Sequence, residues 1–149
     1  MTATLDIDVA AFEQSIDAEF NRVKIPCQAA MAHTLATIIN HNFGDEGEDR
    51  PSDWKDLSWN YARRFHDGNT TPKLQLSGNL QASVQIDESG EDAAIVFTEN
   101  DYATEHQYGS LDGKLSVRPF FPIVGGELTE YSTQKCVDAC EKQLVELLR

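Results

Sequence analysis

Apolar residues recur at steps of three and four at the start of the chain: Val9, Phe12, Ile16, Phe20 and Val23. That spacing predicts one stripe of a helix, with Asp8 as its N-cap. Pro26 stops the run or begins the next helix. A second helix is predicted over 27–43, with Ala30, Met31, Leu35, Ile38, Ile39 and Phe43 inward and Gly44 as its stop. GDEGEDRPS, residues 44–52, is the strongest loop signal and reads as solvated. Ser52 and Asp53 then open a short helix carrying Trp54, Leu57, Tyr61 and Phe65 on one face.

After a loop at 67–72, Ser77 caps a single helical turn at Asn79–Gln81. Ala82, Val84 and Ile86 alternate as a strand, DESGED turns, and AAIVF at 93–97 returns as a second strand. An antiparallel hairpin is the economical pairing, because a parallel crossover needs about a dozen connecting residues. NDYATEHQYG predicts a short helix capped by Asn100 or Asp101 and ended by Gly109. VRPFFPI is extended, because Pro119 and Pro122 bar helix. A long helix closes the chain over 127–149. The order of elements is α+β: N-terminal helices, a small antiparallel sheet with a short helical excursion, and a long C-terminal helix.

A chain of 149 residues reads as one domain, 1–149, with a helical part at 1–43, the acidic loop at 44–52, and sheet plus terminal helix at 53–149. Its first residues carry no basic and apolar signal pattern, and no apolar run approaches the ~20 residues of a membrane span, so a soluble cytoplasmic product is expected. The net charge is −13, from 25 acidic and 12 basic residues, which argues against a phosphate-gripping surface. An acidic surface suits a wall that DNA passes without sticking, and equally a charge that simply keeps the protein soluble. Three cysteines, Cys27, Cys136 and Cys140, do not make a disulfide framework and read as small packing residues.

Candidate chemistry adds little. The loop from Asp45 places Gly47 third and Arg50 sixth, so the calcium-loop pattern fails. His33, His41, His66 and His106 form no HExxH or HxH pair, and no metal or other cofactor is expected. No strand–GxSxG–helix elbow, P-loop or dinucleotide fingerprint is present. The richest composition is EHQYG with RPFF. Tyr102 and His106 share a helix face, Gln107 adds a two-way amide, and Arg118 offers donors to a carboxylate such as Glu105. This cluster reads as a structural polar corner. Replacing His106 is expected to cost folding or assembly, by ~1–3 kcal/mol if its hydrogen bonds are buried.

The motifs fall in one order: Asn42 and Phe43 at a helix end; Trp54 and Leu57; Ser77, Gly78, Leu80 and Ser83; Tyr102, Ala103, His106, Gln107 and Gly109; then Arg118, Pro119 and Phe120. That order resembles the phage Mu-type virion morphogenesis, or tail completion, family over residues 30–149. The resemblance implies a non-enzymatic assembly protein at the head–tail junction or tail end of a tailed phage or prophage. It would work as a ring of identical subunits beside other head–tail or tail-tube proteins, with DNA only passing through the lumen. It implies residence in the bacterial host cytoplasm during assembly and then in the virion. On that reading, sheet edges and the loops at 44–52 and 110–117 join subunits, and Asp45, Glu46, Glu88 or Glu91 lines the channel. Two alternatives stay open: a small metal-dependent hydrolase using His41 and His106, and a regulatory adaptor whose EHQYG corner binds a peptide.

Overall fold

A computed structural model of the chain describes residues 9–44, 47–65, 67, 68, 74, 77–90 and 92–149. Asp8, Asp45, Glu46, His66, Glu91 and residues 69–72 of the second predicted loop lie outside the described residues. The elements are α1 (Val9–His41), α2 (Trp59–Phe65), α3 (Asn79–Ala82), β1 (Val84–Asp87), β2 (Ile95–Thr98), α4 (Ala103–Tyr108), β3 (Ile123–Val124), β4 (Glu127–Leu128) and α5 (Glu130–Leu147). This is the expected α+β order, with the long helix last.

Pro26 does not divide the first helix. α1 runs through it as one helix, although an interior proline removes a donor and crowds the preceding turn at a cost of about 3 kcal/mol. Tertiary packing offsets that cost. α5 lies antiparallel along α1, with the Cys27 thiol directed to the Cys140 carbonyl at 3.7 Å and the Cys136 thiol to the Met31 carbonyl at 3.6 Å. Both cysteines are buried, as small packing residues should be. By the same register Leu147, the last residue of α5, lies level with Phe20. At and beyond the end of α5, two residues of the apolar stripe stand in water: Ile16 is 52% and Phe20 64% exposed.

The β1–β2 pair is antiparallel, with Val84 opposite Thr98 and Asp87 opposite Ile95. Its turn reaches α1 through His33–Glu88 and Lys24–Asp92, each at 2.8 Å, and through the Gln28 amide on the Asp92 carbonyl. The core joins Ile39, Phe43, Trp54, Leu80, Ala103 and Phe120. Phe43 sits 5.1 Å from Phe120 and meets Trp54 edge-on at 6.2 Å. No helix among the described residues is long and apolar enough to cross a membrane.

Several local expectations are corrected. The helix expected from Ser52 starts only at Trp59, after an irregular stretch that buries Trp54 and leaves Tyr61 and Phe65 exposed. Gly78, at φ 71°, takes the N-cap position of α3, and the Ser77 hydroxyl just before it accepts from the Asn79 N–H at 3.4 Å. The last helix begins at Glu130, because Glu127–Leu128 pairs back on Ile123–Val124. Gly125 and Gly126, at φ 62° and 89°, supply the two left-handed positions of that tight turn. Thr129 then caps α5 by accepting from the Ser132 N–H.

Candidate functional site

The segment Arg118–Phe121 is extended yet pairs with no strand. Pro119 and Pro122 remove two donors and hold the backbone away from helix. Buried backbone groups still need partners, and here side chains from three separate regions supply them.

The Arg118 N–H donates to the His106 carbonyl at 2.8 Å. The Trp54 indole N–H donates to the Pro119 carbonyl at 2.8 Å. The Gln107 Oε1 accepts from both the Phe120 and Phe121 N–H groups at 3.0 Å, while its Nε2 donates to the Phe121 carbonyl, also at 3.0 Å. Asn42, fully buried at the end of α1, donates to the Phe120 carbonyl and the Asp49 carbonyl, and its Oδ1 accepts from the Glu48 and Asp49 N–H groups. Each amide thus uses its donor and acceptor sides at once.

Arg118 does not turn to Glu105. Its Nε and Nη2 donate to the Lys55 carbonyl at 3.3 and 3.2 Å. This explains the irregular stretch after Trp54: its indole and the next carbonyl both serve the Arg118–Phe121 segment. The acidic loop, expected to be solvated, is tied to the rest of the molecule over 48–50, with Glu48 exposed and Asp49 and Arg50 half-buried. Asp49 accepts from the Thr129 and Ser132 hydroxyls at the start of α5. Glu48 accepts from Tyr131 at 2.9 Å and pairs with His41 at 2.5 Å. Burial alone would raise the Glu48 carboxyl, but the His41 and Tyr131 hydrogen bonds hold it below the usual range. Arg50 stacks its guanidinium 3.9 Å from the Trp54 ring and donates to the Asn42 carbonyl.

α4 carries the EHQYG corner. The Asn100 Oδ1 accepts from the Tyr102 N–H, and Gly109, at φ 93°, ends the helix as expected. A Cβ at Gly109 would also meet the Val117 side chain at 3.1 Å. His106 meets Tyr102 edge-on at 5.8 Å. Its buried Nδ1 has no hydrogen-bond partner among the described residues, so the polar holding expected of His106 falls to Gln107. Burial, and then the Arg118 charge, push the imidazole below its ordinary value and favour the neutral ring.

A cavity of about 590 Å³ opens beside this segment. Leu57, Ser77, Leu80, Tyr102, His106 and Arg118 line it, bringing together residues from four of the sequence motifs. Trp54, Gln107, Pro119 and Phe120 are tied into the corner behind it, and Gly78 and Gly109 shape its backbone turns. Among the described residues no hydroxyl is bonded to His106 Nδ1. His41 is engaged with Glu48 and is not among the cavity residues. Among the described residues no three His, Cys, Asp or Glu side chains are grouped to hold a metal ion.

The residues that sequence reasoning passed over are Asp49, Arg50, Thr129 and Ser132. Thr129 followed by Glu130 in the first turn is a helix-start signal that also marks the end of the preceding hairpin. Comparison with family models, curated proteins and solved structures finds no match for this chain.

Proposed function

We propose that this is a non-enzymatic virion assembly protein of a tailed phage or prophage, acting in tail completion or head–tail joining as a ring of identical subunits. One observation carries the reading. Three residues of the family-like motifs, Trp54, Gln107 and Asn42, converge on one structural task, holding the backbone of Arg118–Phe121. Side chains bonded to backbone in this way support a rigid surface. The net charge of −13 fits a lumen that lets DNA pass without gripping it. The protein works in the host cytoplasm during assembly and remains in the virion, beside head–tail or tail-tube proteins, without a cofactor.

Deleting the coding gene from an inducible phage tests this reading. Electron microscopy of the lysate should then show heads and tails that fail to join or complete. Normal infectious particles from the deletion would overturn it.

A further inference from the structure

Two exposed surfaces of this chain are complementary and stand far apart. The first is the projecting half of α1, where Ile16 and Phe20 are exposed one turn apart. Glu13 and Asp17 lie three residues before each, on the adjoining row of the helix. It is an apolar ridge edged with acid.

The second surface is α2. Trp59 is 63% exposed, Tyr61 and Phe65 are exposed beside it, and the ring of Phe65 lies 5.2 Å from the Arg64 guanidinium. Arg63 and Arg64 are both exposed, and the seven residues of α2 include no acid. In a chain with 25 acidic and 12 basic residues, this face reverses the local sign. Tyr61 also lines the cavity that holds Arg118, so the face continues into a concave opening. Exposed aromatic and arginine side chains at the mouth of a pocket are the composition that protein–protein contacts favour.

We infer that the projecting α1 ridge of one copy docks on the α2 face of the next. This rests on the assembly reading and names the contact that would build the ring. The occupant follows from distance and charge. At ~1.5 Å per residue, Phe20 lies roughly 33 Å along the helix from Asn42, which is bonded into the core beside the cavity. The ridge therefore lies well away from the core of its own molecule, where a neighbouring copy can meet it. Ridge on ridge would oppose Glu13 and Asp17 to their own kind, and α2 on α2 would oppose the arginines. Ridge on α2 matches acid to arginine and apolar to aromatic. It uses two different patches, so each docking leaves another pair free, and the contact closes into a ring when the rotation allows. The join therefore lies on α1 and α2, whereas residues 48–50 of the acidic loop are already committed to the subunit's own α1 and α5.

Light scattering after size exclusion tests this with two double variants at exposed sites: Ile16→Asp with Phe20→Asp, and Arg63→Glu with Arg64→Glu. The unaltered chain at high concentration should exceed monomer mass. Each variant alone should run as a monomer, with unchanged circular dichroism and melting. Mixed in equal amounts, one variant supplies an intact ridge and the other an intact α2 face, so the mixture should give a one-to-one dimer and nothing larger. Variants that assemble like the unaltered chain, or a mixture that stays monomeric, would overturn the contact. So would a strictly monomeric unaltered chain. If that chain is nevertheless found in virions, the assembly reading stands and this interface alone falls.

Discussion

Gln107 holds Phe120 and Phe121 as a strand partner would, accepting both N–H groups at 3.0 Å and donating to the Phe121 carbonyl. The side chain of a short helix thus replaces a missing strand. Gln107→Ala would leave two buried donors and weaken the satisfaction of one acceptor. Each orphaned group costs about 1–3 kcal/mol, so a loss on the order of 3 kcal/mol is expected in urea unfolding. His106→Ala should cost less, about 1 kcal/mol, because it removes a half-buried ring with no bond at Nδ1. Equal losses for the two variants would contradict the assignment.

Asn42→Asp is the sharper test of the second clamp. The change keeps the acceptor for Glu48 and Asp49 but sets an oxygen against the Asp49 and Phe120 carbonyls. At neutral pH the variant should lose about 3 kcal/mol, because the charge is desolvated and its second oxygen faces two carbonyls in place of the lost donor. Part of that loss should return on mild acidification, when the protonated acid again has a donor. Thermal unfolding across pH would show the recovery.

Two native groups, His106 and Glu48, contribute to the pH dependence in separate windows. His106 is held below its ordinary 6.5 by burial and by Arg118, so the unfolded chain binds the proton more tightly. Stability should fall as pH drops below about 6.5 and level off once the native ring is itself protonated. His106→Phe should flatten that step. Glu48 is held below 4.5, so its contribution is present above 4.5 and is lost as pH falls through the lower native value. Tyr131→Phe should weaken the acid step and leave the His106 step in place.

The helix pairing makes a chemical prediction of its own. Burial raises the Cys27 and Cys136 thiols, and the neighbouring Cys140 raises Cys27 further. Fewer thiolates mean slower alkylation. Iodoacetamide on the native protein should modify half-buried Cys140 first, and Cys27 and Cys136 only after denaturant, as read by peptide mass spectrometry. Prompt labelling of all three would show that α1 and α5 do not pack as described.

Elements whose signals are local were legible in the sequence. Gly109 ends α4, and the β1–β2 hairpin has the economical pairing; α5 forms as a helix, but its buried face is Ser132 and Cys136, with Tyr131, Val137 and the C-cap Leu148 exposed. Pro26 misled because its cost is met by α5, which lies more than a hundred residues away along the chain. The stretch around Trp54 misled because its helical spacing is overridden by the needs of Pro119 and Arg118. Val124-Gly125-Gly126-Glu127 was legible in principle, since paired glycines mark a tight hairpin, but the strands on either side are only two residues long. The corner itself was readable as polar and structural. Which side chain carries it was not, because His106 and Gln107 are adjacent and only the fold decides which one faces Phe120.

Peptide mass spectrometry of purified virions from the phage encoding this chain tests the central claim most directly. The protein should be present in intact particles, at several copies per particle and enriched in tails or head–tail complexes. Particles that are complete, infectious and free of the chain would contradict it.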